Sequence, residues 1–326
     1  MSRIALGTMT FGGSGTAPWH LIGGLDLKAA DELVGIALDQ GVNLIDTADM
    51  YAGGETEEIL GKVLKGRRRD VVLATKAYSR MGAGPNEVGL SRVHLRHAID
   101  DSLRRLGTDH IDLYQIHAHD HLTPIEETLA ALDDAVRQGK ISYIGTSNTF
   151  AWQLARALGV ADLHGYSRFV SLQAYYSLVG RELERELLPL VNEEKLGLLV
   201  YSPLAGGFLS GKFTRDSQDA SGRRAKADNP PLDRERGYDI VDALRKVAER
   251  HDVGVARVAL AWVLAQRGVT SAIIGAKRPD QLHENLAAAD LELTGQDLAE
   301  LDAVSALPVE YPAWTLNGAY PARTPR

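Results

Sequence analysis

Seven positions carry polar side chains of the kinds that move protons or bind amides: Asp46, Tyr51, Lys76, His117, Ser147, Asn148 and Gln173. Six of them stand at the end of a short apolar run. Asp46 ends Val42–Asp46, Lys76 follows Val71–Thr75, and His117 follows Ile111–Ile116. Ser147 and Asn148 follow Ile141–Thr146, Gln173 closes Phe169–Gln173, and Tyr51 lies in the loop just past Asp46. One polar residue at a strand end is commonly a turn residue. An acid, a base, a cation and a phenol converging on one rim form a catalytic constellation suited to proton transfer. His117, His119 and His121 alternate, and with Asp120 they suggest a zinc site if the chain there is extended. The segment leaves its strand for a loop ending at Thr123, so His119 and His121 are expected as loop residues and no metal is expected.

The elements that must position these groups alternate strictly. Three more apolar, β-branched runs, Ile4–Thr8, Leu196–Tyr201 and Ser271–Ile274, complete a set of eight. Amphipathic patterns near Leu27–Gln40, Thr56–Lys65, Leu90–Leu106, Pro124–Gln138, Phe150–Leu158, Glu182–Glu194, Tyr238–Gln266 and Pro279–Ala288 predict helices. Thr123, Pro124 and Glu126 read as a capping box with proline at the first helical position. Gly41 and Gly139 follow helix ends, where a left-handed cap residue belongs. Strand–helix alternation requires parallel strands with right-handed crossovers, and eight repeats can close into a (β/α)8 TIM barrel. The alternative is an open doubly wound sheet. Its dinucleotide loop would be Gly12-Gly13-Ser14-Gly15, but Ala17-Pro18-Trp19 follows in place of the helix that fingerprint needs. One barrel domain over 1–326 is expected, with an irregular loop at 205–237 and a tail at 305–326.

Composition narrows the function classes. With 44% apolar and 24% charged residues the balance is globular, and the 326 residues fit one α/β barrel. No apolar stretch is long enough for a membrane span, and no export signal is evident, so a cytoplasmic protein is expected. The absence of cysteine excludes disulfides, thiolate metal sites and a cysteine nucleophile. A net charge of −7 argues against a nucleic-acid partner, while leaving room for a local phosphate site. Lys65 and Arg67–Arg69 are expected on a solvated face.

Several segments closely resemble the aldo-keto reductase family, in its bacterial branch. They are Asn43–Tyr51, Ala74–Lys76, Asp112–His117, Gly139–Asn148, Tyr201–Leu204 and Ile273–Ala276. The resemblance implies a tetrad of Asp46, Tyr51, Lys76 and His117 that reduces an aldehyde or ketone. Each role has a physical basis. A phenol with an ordinary pKa of about 10 releases its proton poorly, and a neighbouring ammonium favours phenolate. That makes Tyr51 the proton donor, with Lys76 beside it, Asp46 holding Lys76, and His117 orienting the carbonyl.

The cofactor implied is NADPH, with NADH the lesser alternative. By the same resemblance Ser147, Asn148 and Gln173 would read the nicotinamide carboxamide and Tyr201 would stack on its ring. Ser202, Leu204, Gly206 and Lys212 would meet the pyrophosphate. Gly275, Lys277, Arg278 and Gln281 would hold the adenosine 2′-phosphate, and Glu284 and Asn285 the adenine. Ala52 stands where many relatives have glycine, and the β-hairpin that plugs the barrel bottom in relatives is expected to be missing. Loops Phe11–Leu25, Tyr78–Gly89 and Ala118–His121 and the C-terminal tail would set specificity, with Trp19, Tyr78 and Trp314 as candidate pocket walls. The loop at 205–237 is expected to be mobile without cofactor, and its first part to fold over the pyrophosphate when NADPH binds. Partners expected are a small carbonyl compound and, optionally, further copies of the chain. Two other functions stay open. One is a cofactor-binding regulatory subunit, since the family includes potassium-channel β subunits. The other is an isomerase or lyase using Asp46 or His117 as base.

Overall fold

A computed structural model of the chain describes residues 1–15, 17–215, 224 and 229–319. Its eight parallel strands are β1 (Ile4–Gly7), β2 (Leu44–Asp46), β3 (Val72–Ala77), β4 (Ile111–Ile116), β5 (Ile141–Ser147), β6 (Phe169–Tyr175), β7 (Gly197–Tyr201) and β8 (Val269–Ile274). They close in sequence order, β8 pairing with β1, into the expected (β/α)8 TIM barrel. The open doubly wound sheet is thereby excluded, and Trp19–Leu21 after the glycine cluster is only a single 3-10 turn.

Side-chain alternation along each strand builds the site. Leu44, Ala74, Leu113 and Leu199 face inward and pack with Ala5 and Ile273 as an inner core. Two residues further along the same faces stand Asp46, Lys76, Gln115 and Tyr201. The apolar layer is therefore the floor on which the polar layer rests.

The helices are α1 (Leu27–Asp39), α2 (Glu55–Val63), α3 (Arg92–Leu106), α4 (Ile125–Arg137), α5 (Ala151–His164), α6 (Leu187–Glu193), α7 (Arg234–His251), α8 (Val255–Ala265), α9 (Pro279–Leu286), α10 (Gly295–Ser305) and α11 (Ala313–Ala319). Gly41 and Gly139 take positive φ as expected. Several boundaries differ for local reasons. The helix expected over Tyr238–Gln266 is two, because Asp252 turns left-handed (φ 52°) and Gly254 caps the second. Within Glu182–Glu194 a 3-10 turn precedes α6, whose first turn contains Pro189, a residue tolerated only near a helix start. The capping box at Thr123 does not form. Pro124 is the cap residue, and the Thr123 hydroxyl donates to Asp120 at 2.7 Å.

The connection expected to be irregular over 205–237 starts with a helical turn, Ala205–Ser210, and ends where α7 begins at Arg234. Its opening packs against α7. Phe208 stacks on Phe213 and meets Tyr238, and Arg215 pairs with Asp239 at 2.6 Å and Asp242 at 2.9 Å. These apolar and ionic contacts anchor the start of the connection to α7. Its middle, 216–223 and 225–228, lies outside the described residues, as does 320–326 of the tail.

Among the described residues no strand precedes β1. The bottom of the barrel is tied by other means. Arg3 donates to the carbonyls of Leu264 and Ala289, and Ser2 exchanges hydrogen bonds with Asn43. Arg68, expected on a solvated face, pairs instead with Asp112 at 2.8 Å and donates to the carbonyls of Val71 and His110. Five donors on one planar guanidinium suit it to fasten two strand starts at once. Tyr143, beside Leu113 on the inward register, is 60% exposed, so this end remains open to solvent there. Among the described residues no helix is long and apolar enough to cross a membrane.

Candidate active site

The strand ends bring the four expected groups together. Lys76 is fully buried, and its ammonium donates to Asp46 Oδ2 at 2.6 Å and to the Thr47 carbonyl at 2.7 Å. The Lys76 Nζ lies 5.2 Å from the centre of the Tyr51 ring. Burial alone pushes the ammonium down, but Asp46 and Tyr51 outweigh it and hold Lys76 above its ordinary value, so it stays charged. His117 meets Tyr51 edge-on, ring centres 6.0 Å apart. Burial first, and Lys76 second, push the His117 imidazole down to about 3, so near neutral pH it is an uncharged donor. Trp19 from the β1–α1 loop also packs against Tyr51, ring centres 5.8 Å apart. Trp314 instead pairs with its neighbour Tyr311.

Tyr51 sits at the head of a tight turn, Tyr51–Gly54, in which Ala52 has φ 50° and ψ 30°. That left-handed conformation accounts for glycine in relatives, since a β-carbon there costs about 1 kcal/mol. The departure leaves the phenol in place.

Several site features escape a reading of strand ends. Gln115, in the middle of an apolar run, is fully buried and donates to Asp46 Oδ1 at 3.2 Å. Gln173, expected only at the cofactor, also donates to Asp46 Oδ1, at 2.8 Å, and β6 continues two residues beyond it. Behind the tetrad lies a second buried group. Asp49 donates its backbone N–H to the Lys76 carbonyl at 3.0 Å, and Glu57 is held by Thr75 at 2.6 Å and Arg105 at 2.7 Å. Alternation from His117 back to Gln115 was the available signal for the first. Nothing in the spacing marks the second.

Asp49 is pushed from its ordinary 3.8 up to about 8, by burial first and then by Glu57, against Arg105. The folded protein therefore keeps a proton that the unfolded chain releases. That contribution to stability is complete below about pH 4 and is lost as pH rises through 8. Asp49→Asn, which never ionises, should gain stability relative to wild type steadily between about pH 4 and 8 and level off above 8. Denaturant midpoints across that range provide the check, and a difference independent of pH would mean that Asp49 does not titrate in the fold.

The three histidines do not gather. His119 packs on Trp152, and the Asp120 oxygens are occupied by the N–H groups of Leu90 and Leu122 and by Thr123. Among the described residues no cluster of three or more His, Cys, Asp or Glu could hold a metal ion.

The residues expected at a cofactor form a row along the ends of β5 to β8. Tyr201 donates to Asn148 at 2.8 Å, and Asn148 donates to Ser147 and to the His117 carbonyl. After β7, Ser202 (φ 51°), Gly206 (φ 66°) and Gly207 (φ 95°) turn the chain sharply past Leu204, with Lys212 exposed beyond. A β-carbon at Gly206 would stand 2.8 Å from the Asn229 carbonyl, so only glycine fits. After β8 come Gly275 and Lys277, whose N–H donates to Gln281 and whose ammonium reaches the Gly23 carbonyl. Arg278 stands exposed at the N-terminus of α9 with its guanidinium across Asp280. Asn285 is buried, and Glu284 accepts from Arg257 through one oxygen while the other, buried, has no partner among the described residues. Amide readers, an aromatic face, glycine turns beside cations and an orphaned acceptor, in that order, fit an elongated dinucleotide.

A closed parallel barrel that gathers acid, ammonium, phenol and imidazole on its C-terminal rim has the architecture of a barrel enzyme equipped for proton transfer. The sequence profile described as "Aldo/keto reductase family" matches residues 3–306, and the chain belongs to that family of NAD(P)H-dependent oxidoreductases. It is 39% identical over 316 residues to an uncharacterized oxidoreductase, YrpG, of Bacillus subtilis, covering 93% of this chain and 92% of that one. It is 34% identical to a versiconal hemiacetal acetate reductase of Aspergillus parasiticus, covering 93% of each chain. It is also 36% identical to a probable voltage-gated potassium channel subunit beta of Arabidopsis thaliana, covering 89% of each.

Proposed function

We propose that this chain is a cytoplasmic, single-domain reductase that converts a small aldehyde or ketone to its alcohol with NADPH. The observation that carries the reading is the buried Lys76 ammonium, held by Asp46 and Thr47 and set against the ring of Tyr51.

NADPH, when bound, supplies the hydride that the carbonyl carbon receives. Ser147, Asn148, Gln173 and Tyr201 would hold its nicotinamide end. Ser202, Leu204, Gly206 and Lys212 would hold the pyrophosphate. Gly275, Lys277, Arg278 and Gln281 would hold the 2′-phosphate, and Glu284 and Asn285 the adenine. Tyr51 gives its proton to the oxygen as the carbonyl becomes an alkoxide, and the phenolate left behind is steadied by Lys76. His117, being uncharged, donates a hydrogen bond to the same oxygen and fixes its direction. Asp46 keeps the ammonium in place.

Arg278 carries the cofactor preference. Arg278→Ala should raise the NADPH KM about 10- to 100-fold, the range of a lost hydrogen bond to a charged group, and leave NADH within about threefold. Steady-state NADPH and NADH oxidation with a panel of aldehydes tests both points. An equal loss for both cofactors, or a wild type that prefers NADH, would remove the 2′-phosphate role. The likeness to a channel β subunit supports a second reading, a cofactor-binding regulatory subunit. Absence of turnover above background with every aldehyde, while NADPH still binds, would favour it.

A further inference from the structure

Asp46 is tied by three donors from three different strands. Its Oδ2 takes the Lys76 ammonium at 2.6 Å, while its Oδ1 takes the Gln115 amide at 3.2 Å and the Gln173 amide at 2.8 Å. Gln173 also donates to the side-chain oxygen Oε1 of Gln115 at 3.4 Å, so the two amides brace each other across β5. The strand between them is bare at that level. Gly145 sits opposite Gln115 in the register, and a β-carbon there would lie 3.0 Å from Gln115 Cγ and 2.6 Å from Ser171 Oγ. The glycine leaves the space that lets the Gln115 and Gln173 amides meet. Gln115 is fully buried in the same inward register as His117, two residues ahead, yet among the described residues its amide reaches only Asp46 and Gln173.

We infer that Gln115 is a positioning residue of the reaction, holding the Asp46 carboxylate so that its other oxygen stays on the Lys76 ammonium. A carboxylate can rotate about its Cβ–Cγ bond, and a lone ammonium partner does not choose between its two oxygens. Two amides on Oδ1 choose. They also share out the negative charge of Asp46, leaving more of the Lys76 field for the phenol of Tyr51. Without Gln115 the carboxylate draws more strongly on Lys76, and the phenol releases its proton at higher pH. The other ionisable groups facing this unit are His117 and Tyr201 on the rim, and Asp49, with Glu57 and Arg105 beyond it, behind Lys76.

This inference rests on the reductase reading for its kinetic half only. Gln115→Met keeps the length of the side chain and removes the amide. It should lower kcat about 5- to 20-fold, change the KM for NADPH less than threefold, and move the alkaline limb of the kcat profile up by half a pH unit or more. Gln115→Asn, which keeps an amide but falls short of Asp46, should behave likewise. A readout free of activity is the 15N signal of the Lys76 ammonium in the cofactor-free protein, assigned by its loss in Lys76→Met. Proton exchange at that signal should quicken about tenfold in both Gln115 variants. A lower melting temperature with an unchanged pH profile and unchanged ammonium exchange would reduce Gln115 to a packing residue and overturn the inference. If the wild type reduced no carbonyl compound, the reductase reading would fail while the ammonium exchange still decided the place of Gln115.

Discussion

Tyr51→Phe is expected to lower kcat/KM for carbonyl reduction by about 1000-fold while NADPH binding and thermal stability stay close to wild type. The substitution removes one hydroxyl and nothing else from a ring that packs against those of Trp19 and His117. The packing partners remain, so the fold has little to lose. The proton donor is gone, and water, a weaker acid than a phenol, is a poor replacement. His117 cannot take over, because its imidazole is held down to about 3 and carries no spare proton at neutral pH. The loss should therefore fall on kcat, with the KM for cofactor unchanged. Stopped-flow reduction with saturating NADPH, alongside fluorescence titration of the cofactor, provides the measurement. Retention of more than a tenth of the wild-type rate would exclude Tyr51 as the acid.

The role of Tyr51 is what the family resemblance implies, while the convergence of polar groups on one rim was within reach of the sequence because a parallel barrel writes its rim in a simple way. Each strand is an apolar run, and its last inward residue belongs to the rim. Asp46, Lys76 and His117 break the pattern there and show themselves. The closed topology follows from the same alternation. What escaped was polar chemistry hidden inside the apolar runs or written in tertiary contacts. Gln115 lies between Tyr114 and Ile116 in a run whose outward residues are core, and its partner is on another strand. Asp49 and Glu57 look like ordinary loop and helix-surface acids, and only the folded chain reveals that both are fully buried. Arg68 sits in a row of charges whose neighbours are partly solvated, and composition cannot tell which member turns inward to Asp112. The break at Asp252 needs a left-handed residue that periodicity does not register. Cofactor residues were placed by resemblance, and the bond between Tyr201 and Asn148 was invisible without coordinates.

Lys76→Met is expected to lower kcat/KM at least as far as Tyr51→Phe and, unlike it, to destabilise the fold by about 3–5 kcal/mol. The lysine side chain is fully buried and that of Asp46 is 4% exposed, so the pair is beyond the reach of solvent. Methionine fills much of the same volume, which keeps the cavity small. It leaves the Asp46 carboxylate buried against only the Gln115 and Gln173 amides. An unpaired buried charge is the costly element, more than the lost attraction itself. The test lies in the double variant. Asp46→Asn added to Lys76→Met removes that charge, while the new side chain still offers an oxygen to the two amides. Stability should recover by more than half, and the two substitutions should be strongly non-additive. Activity should not recover, because no ammonium remains beside Tyr51. Chemical denaturation of the four proteins gives the stability cycle, and NADPH oxidation gives the activity cycle. A single variant as stable as wild type would mean that the pair is not the buried ion pair described. A double variant that regained turnover would show that Tyr51 gives up its proton without Lys76, and the role assigned to the ammonium would fall.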